Sequence, residues 1–290
     1  MKKVAILGCE NSHASNFLQY IKDRPKFSDV EVVGIYSNEA EAVEKLHNKY
    51  GVPVMENPED AVGRIDGLII TARHGDNHYK YAKPYIASGI PMFIDKPITI
   101  SEDEAVQFMS ELRENGIRIT GGSSVKHADL IYDLKAKAQA EEGGRTIGGV
   151  IRAPLSSDSP YGGFFFYSQH LVEMSCEVFG RYPKSVMACQ SGEKSVRSVL
   201  LRYPDFDVHG TFCDHNYIYH MLRYTTDQVQ GGTLEFGEAF CREFDEFHKL
   251  LHGGEQKISY EDFISPVFIM NALARALESG KEEPVKEYTL

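Results

Sequence analysis

Phe93-Ile94-Asp95-Lys96-Pro97 is the stretch that decides the fold. An apolar run that ends in a carboxylate, an amine and a proline reads as the end of a buried strand entering a fixed turn. In open α/β sheets the carboxyl ends of the strands face the ligand crevice. A lysine held there can meet a substrate hydroxyl and help move its proton. Outward from this run, strand and helix patterns alternate. Short apolar runs rich in Val and Ile fall at 4–7, 30–36, 52–55, 67–71, 92–94 and 117–120, as expected of strands covered on both faces. Helical patterns at 14–22, 39–49, 58–62, 77–88 and 102–114 lie between them. Ser101 before Glu102-Asp103-Glu104 has the form of a capped helix start. The alternation predicts a parallel sheet over residues 1–122, with 92–94 as its fifth strand.

Past Gly121-Gly122 the pattern changes. A helix over 127–140 and a strand over 147–153 lead to an aromatic loop, Tyr161-Gly162-Gly163-Phe164-Phe165-Phe166-Tyr167, and a helix over 169–179. Polar and apolar residues then alternate along 195–203, 207–213 and 217–224, before two closing helices near 239–251 and 262–278. Such alternation marks an antiparallel sheet with one covered face. The expected fold is therefore α/β. It has an N-terminal Rossmann-type parallel sheet with helices on both faces (1–122) and a C-terminal α+β domain on an open, mostly antiparallel sheet (123–290).

Composition narrows the partners. The chain has 290 residues, is 42% hydrophobic and carries a formal charge of −11. The acidic balance and the lack of a Lys/Arg cluster argue against nucleic acid. No segment approaches the length of a membrane span. The five cysteines form no Cys-x-x-Cys pair, which reads as reduced thiols in a cytoplasmic protein. The apolar start Val4-Ala5-Ile6-Leu7 is too short for a secretory signal and reads as a first strand.

A dinucleotide fingerprint would place Gly-x-Gly-x-x-Gly after that strand. Gly8-Cys9-Glu10-Asn11-Ser12-His13 keeps only the first glycine, and Glu10 adds a carboxylate where phosphate charge is expected. The helix that begins there still offers N–H groups to an anion; Asn11 and Ser12 can cap it or donate to a phosphate, and His13 can donate too. The acid expected for an adenosine ribose at the end of strand two is replaced by Ser37-Asn38. The choice between NAD and NADP stays open.

Four segments in order resemble the Gfo/Idh/MocA family of nicotinamide-dependent oxidoreductases. Asp95-Lys96-Pro97 is similar to the family's Glu-Lys-Pro motif; residues 71–89, with His78, to the helix before it; Gly162-Gly163 through His170-Leu171 to Gly180 to the Gly-Gly…His-Leu segment; and Phe247, Ser259, Glu261-Asp262 and Ala272 to Gly280 to the closing helices. The resemblance implies a hydride transfer between NAD or NADP and a small sugar- or cyclitol-like substrate held between the two domains. It implies a homodimer or homotetramer through the C-terminal sheet, and a cis Lys96–Pro97 bond. It makes Lys96 and His170 the catalytic pair. It gives the cofactor to Gly8, Asn11, Ser12, His13, Ser37, Thr71, His74, His78, Asp95 and Lys96, and the substrate to Lys96, Lys126, Tyr167 and His170. Phe166 stands where relatives often carry an aspartate, and Glu173 replaces their usual Asp in a structural role. With Glu10 and His13, Phe166 leaves an alternative reading: a catalytically impaired relative that serves as a ligand-binding or regulatory protein. His209, Cys213 and His215 share one strand face but lack a recognised ligand spacing, so no metal is expected.

Overall fold

The computed structural model describes residues 1–190 and 195–290. The first sheet is built from β1 (Lys2–Leu7), β2 (Val30–Tyr36), β3 (Gly67–Ile70), β4 (Met92–Asp95) and β5 (Ile119–Gly122), in the order β2-β1-β3-β4-β5. Every pairing is parallel. Helices α1 (Ser12–Asp23), α2 (Ala40–Tyr50), α3 (Asp76–Ala82) and α4 (Glu102–Glu114) connect these strands. All four residues of β3 and of β4 are buried, as strands covered on both faces must be. The chain order reverses between β1 and β3, so the ligand crevice opens at their carboxyl ends.

Residues 52–55 do not form the expected strand. They keep a single bridge, Ile35 to Val54. Pro53 has no N–H to give, and a ladder cannot run past it. Met92–Asp95 is consequently the fourth strand. Residues 58–62 are turns instead of a helix.

The second half begins with α5 (Asp129–Gln139), β6 (Thr146–Leu155) and α6 (Phe164–Val178), followed by β7 (Ser185–Gln190), β8 (Val196–Arg202), β9 (Asp207–Asp214), β10 (His220–Thr225) and β11 (Val229–Thr233). Then come α7 (Ala239–Leu251), α8 (Tyr260–Ser279) and a short β12 (Glu283–Pro284). The seven-stranded sheet runs β11-β10-β6-β9-β8-β7-β12. Among the described residues of this sheet, only β6 and β9 pair in parallel. Helices α6 and α8 cover one face, and α8 tolerates Pro266 because the Ser265 hydroxyl and Arg181 donate to the Asp262 carbonyl that lost its helical partner.

Helix α7 follows the second sheet in sequence but packs on the first. Cys241, Phe244, Phe247 and Leu251 share one core with Phe17, Phe27, Val30 and Phe93. Burying each Phe side chain is worth roughly 1.5–3 kcal/mol. Gly67 makes room for this helix, since a Cβ there would lie 2.3 Å from a Leu251 methyl carbon. Among the described residues, no helix is long and apolar enough to cross a membrane.

Candidate active site

The carboxyl end of β4 delivers the first group. Asp95 is fully buried and accepts from the backbone N–H of Lys96 at 2.6 Å and from the Asn11 amide at 2.5 Å. The His13 ring faces the same carboxylate at 3.1 Å. Burial pushes the Asp95 carboxyl up, but His13 and Lys96 outweigh it and hold the group below its ordinary value. The next bond, Lys96–Pro97, is cis.

Lys96 is 4% exposed. Its Nζ donates to the Phe166 carbonyl at 3.2 Å and lies over the rings of Phe166 and Tyr167, 4.3 and 5.0 Å from their centroids. Ring faces hold a cation through their quadrupole. They supply no counter-charge equal to a carboxylate. Burial therefore dominates and brings the amine down to about 8, with Arg73 adding to the effect and Asp95 opposing it.

His170 arrives from the opposite domain, in the second turn of α6. Helix α6 begins at Phe164, so the aromatic run is its first turn instead of a loop. Nδ1 of His170 shares a 2.6 Å hydrogen bond with the Ser123 hydroxyl. Ser123 is itself fixed, because its N–H donates to Glu173 at 3.0 Å. Burial, then the charges of Lys96 and His13, press His170 well below its usual range. The ring is neutral near pH 7, and its Nε2 has no hydrogen bond among the described residues. Lys96, His170, Arg73 and Tyr167 line one cavity of about 230 Å³, which Tyr217, Tyr219, Phe236 and Phe240 complete. A wider depression of about 670 Å³ beside Lys3, Arg64 and Asp66 lies at the amino end of the sheet and gathers no such set.

The start of α1 borders the same cavity. Gly8 sits at φ +94°, and a Cβ there would be 2.2 Å from the Ala72 nitrogen, so only glycine fits. Asn11 makes no side-chain cap, having turned its amide to Asp95. The first-turn N–H groups of α1 are thus left for an anion. Glu10 does not cover them. Its carboxylate accepts from the Ser37 hydroxyl at 2.6 Å and from the Arg73 N–H at 2.9 Å. That position is the end of β2, where an adenosine ribose seeks a carboxylate. Tyr161 reaches across the crevice from the other domain, donates to Glu39 at 2.8 Å and places its ring 5.1 Å from the Arg73 guanidinium. A free helix end, a glycine that admits close approach and a carboxylate beside Ser37 fit a dinucleotide.

Several residues expected at the site take other partners, although His13 still borders the Lys96 cavity. His13 is buried between Asp95 and Glu243, its Nε2 3.1 Å from the Glu243 carboxylate. Burial pulls its pKa down, but the two acids win and drive it up to about 10; it ties α1 to β4 and α7 instead of donating to phosphate. His78 is enclosed, with its ring nitrogens on the Ile98 and Ala72 carbonyls, and faces no crevice. Lys126 turns to the Gly121 carbonyl and to Glu173, 3.3 Å away, outside the cavity of Lys96. Thr71 acts indirectly, its hydroxyl donating to the Gly8 carbonyl at 2.5 Å. His74 stays at the rim, 3.7 Å from Asp76. Ser123, Tyr219 and the Phe236–Phe240 pair were not singled out in the sequence; the position of Ser123, directly after the glycines that end β5, is the one signal that marks it.

Residues 2–123 match the model of an oxidoreductase family with an NAD-binding Rossmann fold. No curated protein matches the chain. Among solved structures, the chain is similar to myo-inositol 2-dehydrogenase from Lactobacillus plantarum, with TM-score 0.85, 14% identity, and 98% of this chain and 99% of that one covered. It is similar to a myo-inositol dehydrogenase from Corynebacterium glutamicum, with TM-score 0.83, 16% identity, and 99% and 100% covered. A protein from gentamicin A biosynthesis, solved in complex with NAD, gives TM-score 0.82 at 15% identity over 99% of this chain and 97% of that one. At such identities the likeness shows a shared fold over the whole length. The family match covers residues 2–123 and gives that part of the chain the NAD-binding Rossmann fold of the Gfo/Idh/MocA oxidoreductases.

Proposed function

We propose that the chain oxidises and reduces a hydroxyl-bearing carbon of a small sugar- or cyclitol-like substrate with a nicotinamide dinucleotide. The observation that carries this reading is the buried Lys96 amine, brought down to about 8, sharing one cavity with the neutral imidazole of His170. The nicotinamide ring supplies the hydride acceptor or donor. The N–H groups at the start of α1, Gly8, Ser12, Arg73 and Ser37 would hold the dinucleotide. In the oxidation direction, neutral Lys96 takes the hydroxyl proton. His170, oriented by its hydrogen bond to Ser123, holds the reacting oxygen through Nε2. Aromatic walls with a few polar groups suit a polyol ring, and the inositol dehydrogenases of the same fold support that substrate class. Phe166 leaves Lys96 without a carboxylate partner but keeps it desolvated, and this favours an enzyme over a binding module.

The sign of the pH dependence follows. The active amine is neutral, so kcat/KM for oxidation climbs as pH rises and levels off above about 8. Lys96→Met should cut turnover by ~10²–10⁴-fold while NADH still binds. A panel of cyclitols and sugars assayed by NADH absorbance tests both points. Saturable cofactor binding with no turnover on any of them would favour the binding module instead.

A further inference from the structure

The end of α7 carries a second constellation that the reaction does not use. His248 and His252 stand at His-x-x-x-His spacing, which puts both imidazoles on one helix face. Asp29 meets them from the turn before β2. Its main chain is fixed there, because its carbonyl accepts from the Lys2 N–H at 2.6 Å. Nε2 of His248 lies 2.9 Å from one Asp29 oxygen, and Nε2 of His252 lies 2.7 Å from the other. The three ligand atoms all fall within 4.8 Å of one another. Two imidazoles on successive turns and a carboxylate from a separate segment form a ligand set with its own geometry.

We propose that Asp29, His248 and His252 bind a divalent transition-metal ion of the zinc type. A tetrahedron with bonds of about 2.0–2.2 Å has edges of roughly 3.3–3.6 Å, so a slight spreading of the three atoms seats the ion. Imidazole nitrogens select zinc, cobalt or nickel over calcium or magnesium, which prefer all-oxygen sites. On binding, each imidazole gives its Nε2 lone pair to the ion and carries its N–H on Nδ1. The His248 ring packs edge-on against Phe27, with centroids 5.2 Å apart, which orients the inner ligand. His252 is 44% exposed and Asp29 40%, which gives the ion an entry path and leaves its fourth position to water. The site joins α7 to the amino end of β2, away from the crevice. Its role is to clip these elements together, so stability is the quantity to read.

The test uses the full chain, freed of metal by a chelator at neutral pH, with Zn²⁺, Co²⁺ and Mg²⁺ as probes. Calorimetry should give one Zn²⁺ per chain, and Zn²⁺ should raise the melting temperature as a ligand of the folded state does. Mg²⁺ should do neither. Co²⁺ should give the visible spectrum of a tetrahedral nitrogen and oxygen site. Asp29→Asn and His252→Asn should each weaken Zn²⁺ by at least ~10-fold and remove the melting shift. Both side chains are partly exposed, and two separate variants guard against one that folds poorly. Absent Zn²⁺ binding, unchanged affinity in both variants, or thiolate bands in the Co²⁺ spectrum would overturn the proposal.

Discussion

Glu10 occupies the place of the second glycine in a dinucleotide fingerprint, where a carboxylate faces pyrophosphate charge. The structure resolves the conflict by bending it onto Ser37 and the Arg73 N–H, at 2.6 and 2.9 Å. A carboxylate has about four acceptor positions, and two remain here for the hydroxyls of an adenosine ribose. A 2′-phosphate at that point would meet like charge. NADH should therefore bind at least ~10-fold tighter than NADPH, and Glu10→Gln should shrink the ratio mainly by improving NADPH. Titration of nucleotide fluorescence reads both constants; equal affinities in the wild type would refute the assignment. The sequence shows the two misfits, a missing acid at Ser37 and an extra one at Glu10, but not that they compensate across 27 residues. Lys96 and His170 were legible because each sits in a motif bound to a strand end or helix start. Ser123 was not, since a hydrogen bond between residues 47 apart leaves no periodic trace.

At the level of elements, α1, β4 and α7 meet at one buried histidine. The helix of α7 was expected from the sequence, yet nothing in it names the partner. Only the fold returns the helix to the first sheet and sets Glu243 beside His13. The energetic consequence is pH-dependent. His13 is raised from 6.5 to about 10 on folding, so its stabilisation is complete below about 6.5 and is lost as pH rises toward 10. Lys96 is lowered from 10.5 to about 8, so above 8 the folded state sheds a proton that the unfolded chain keeps, and stability gains. Between 6.5 and 8 the pull of His13 on stability is downward as pH rises, while His170, held neutral in the fold, pulls the other way as its unfolded form loses its proton. The slope of melting temperature against pH should therefore turn more positive in His13→Gln than in the wild type. The variant should also lose ~3–5 kcal/mol at pH 6.5 by stranding two buried acids. Scanning calorimetry across the window checks this, and a slope equal in the two proteins would defeat it.

At the scale of the molecule, alternation of strand and helix patterns sufficed for the parallel sheet, apart from the run that Pro53 interrupts. Period-two alternation sufficed for the second sheet's open face. The parallel pairing of β6 with β9 was not legible, because it joins strands separated by α6, β7 and β8. That open face now sets the last question. Met187, Leu200, His209, Val150 and Leu222 lie in one cross-strand row, and Tyr224 and Val229 extend it. None of these side chains is covered by α6 or α8, and Val229 is 66% exposed. An open face this rich in apolar side chains marks an interaction face, and a sheet that meets its own copy about a two-fold axis satisfies both sides at once. We expect the chain to self-associate through it as a dimer or tetramer. Leu222→Glu, which puts two like charges near the axis, should yield monomers, while the inner row of Met221 and Ile151 keeps the fold. Light scattering on a sizing column reads the mass. A wild type that is monomeric at micromolar concentration, or a Leu222→Glu protein of unchanged mass, would show that this face has another purpose.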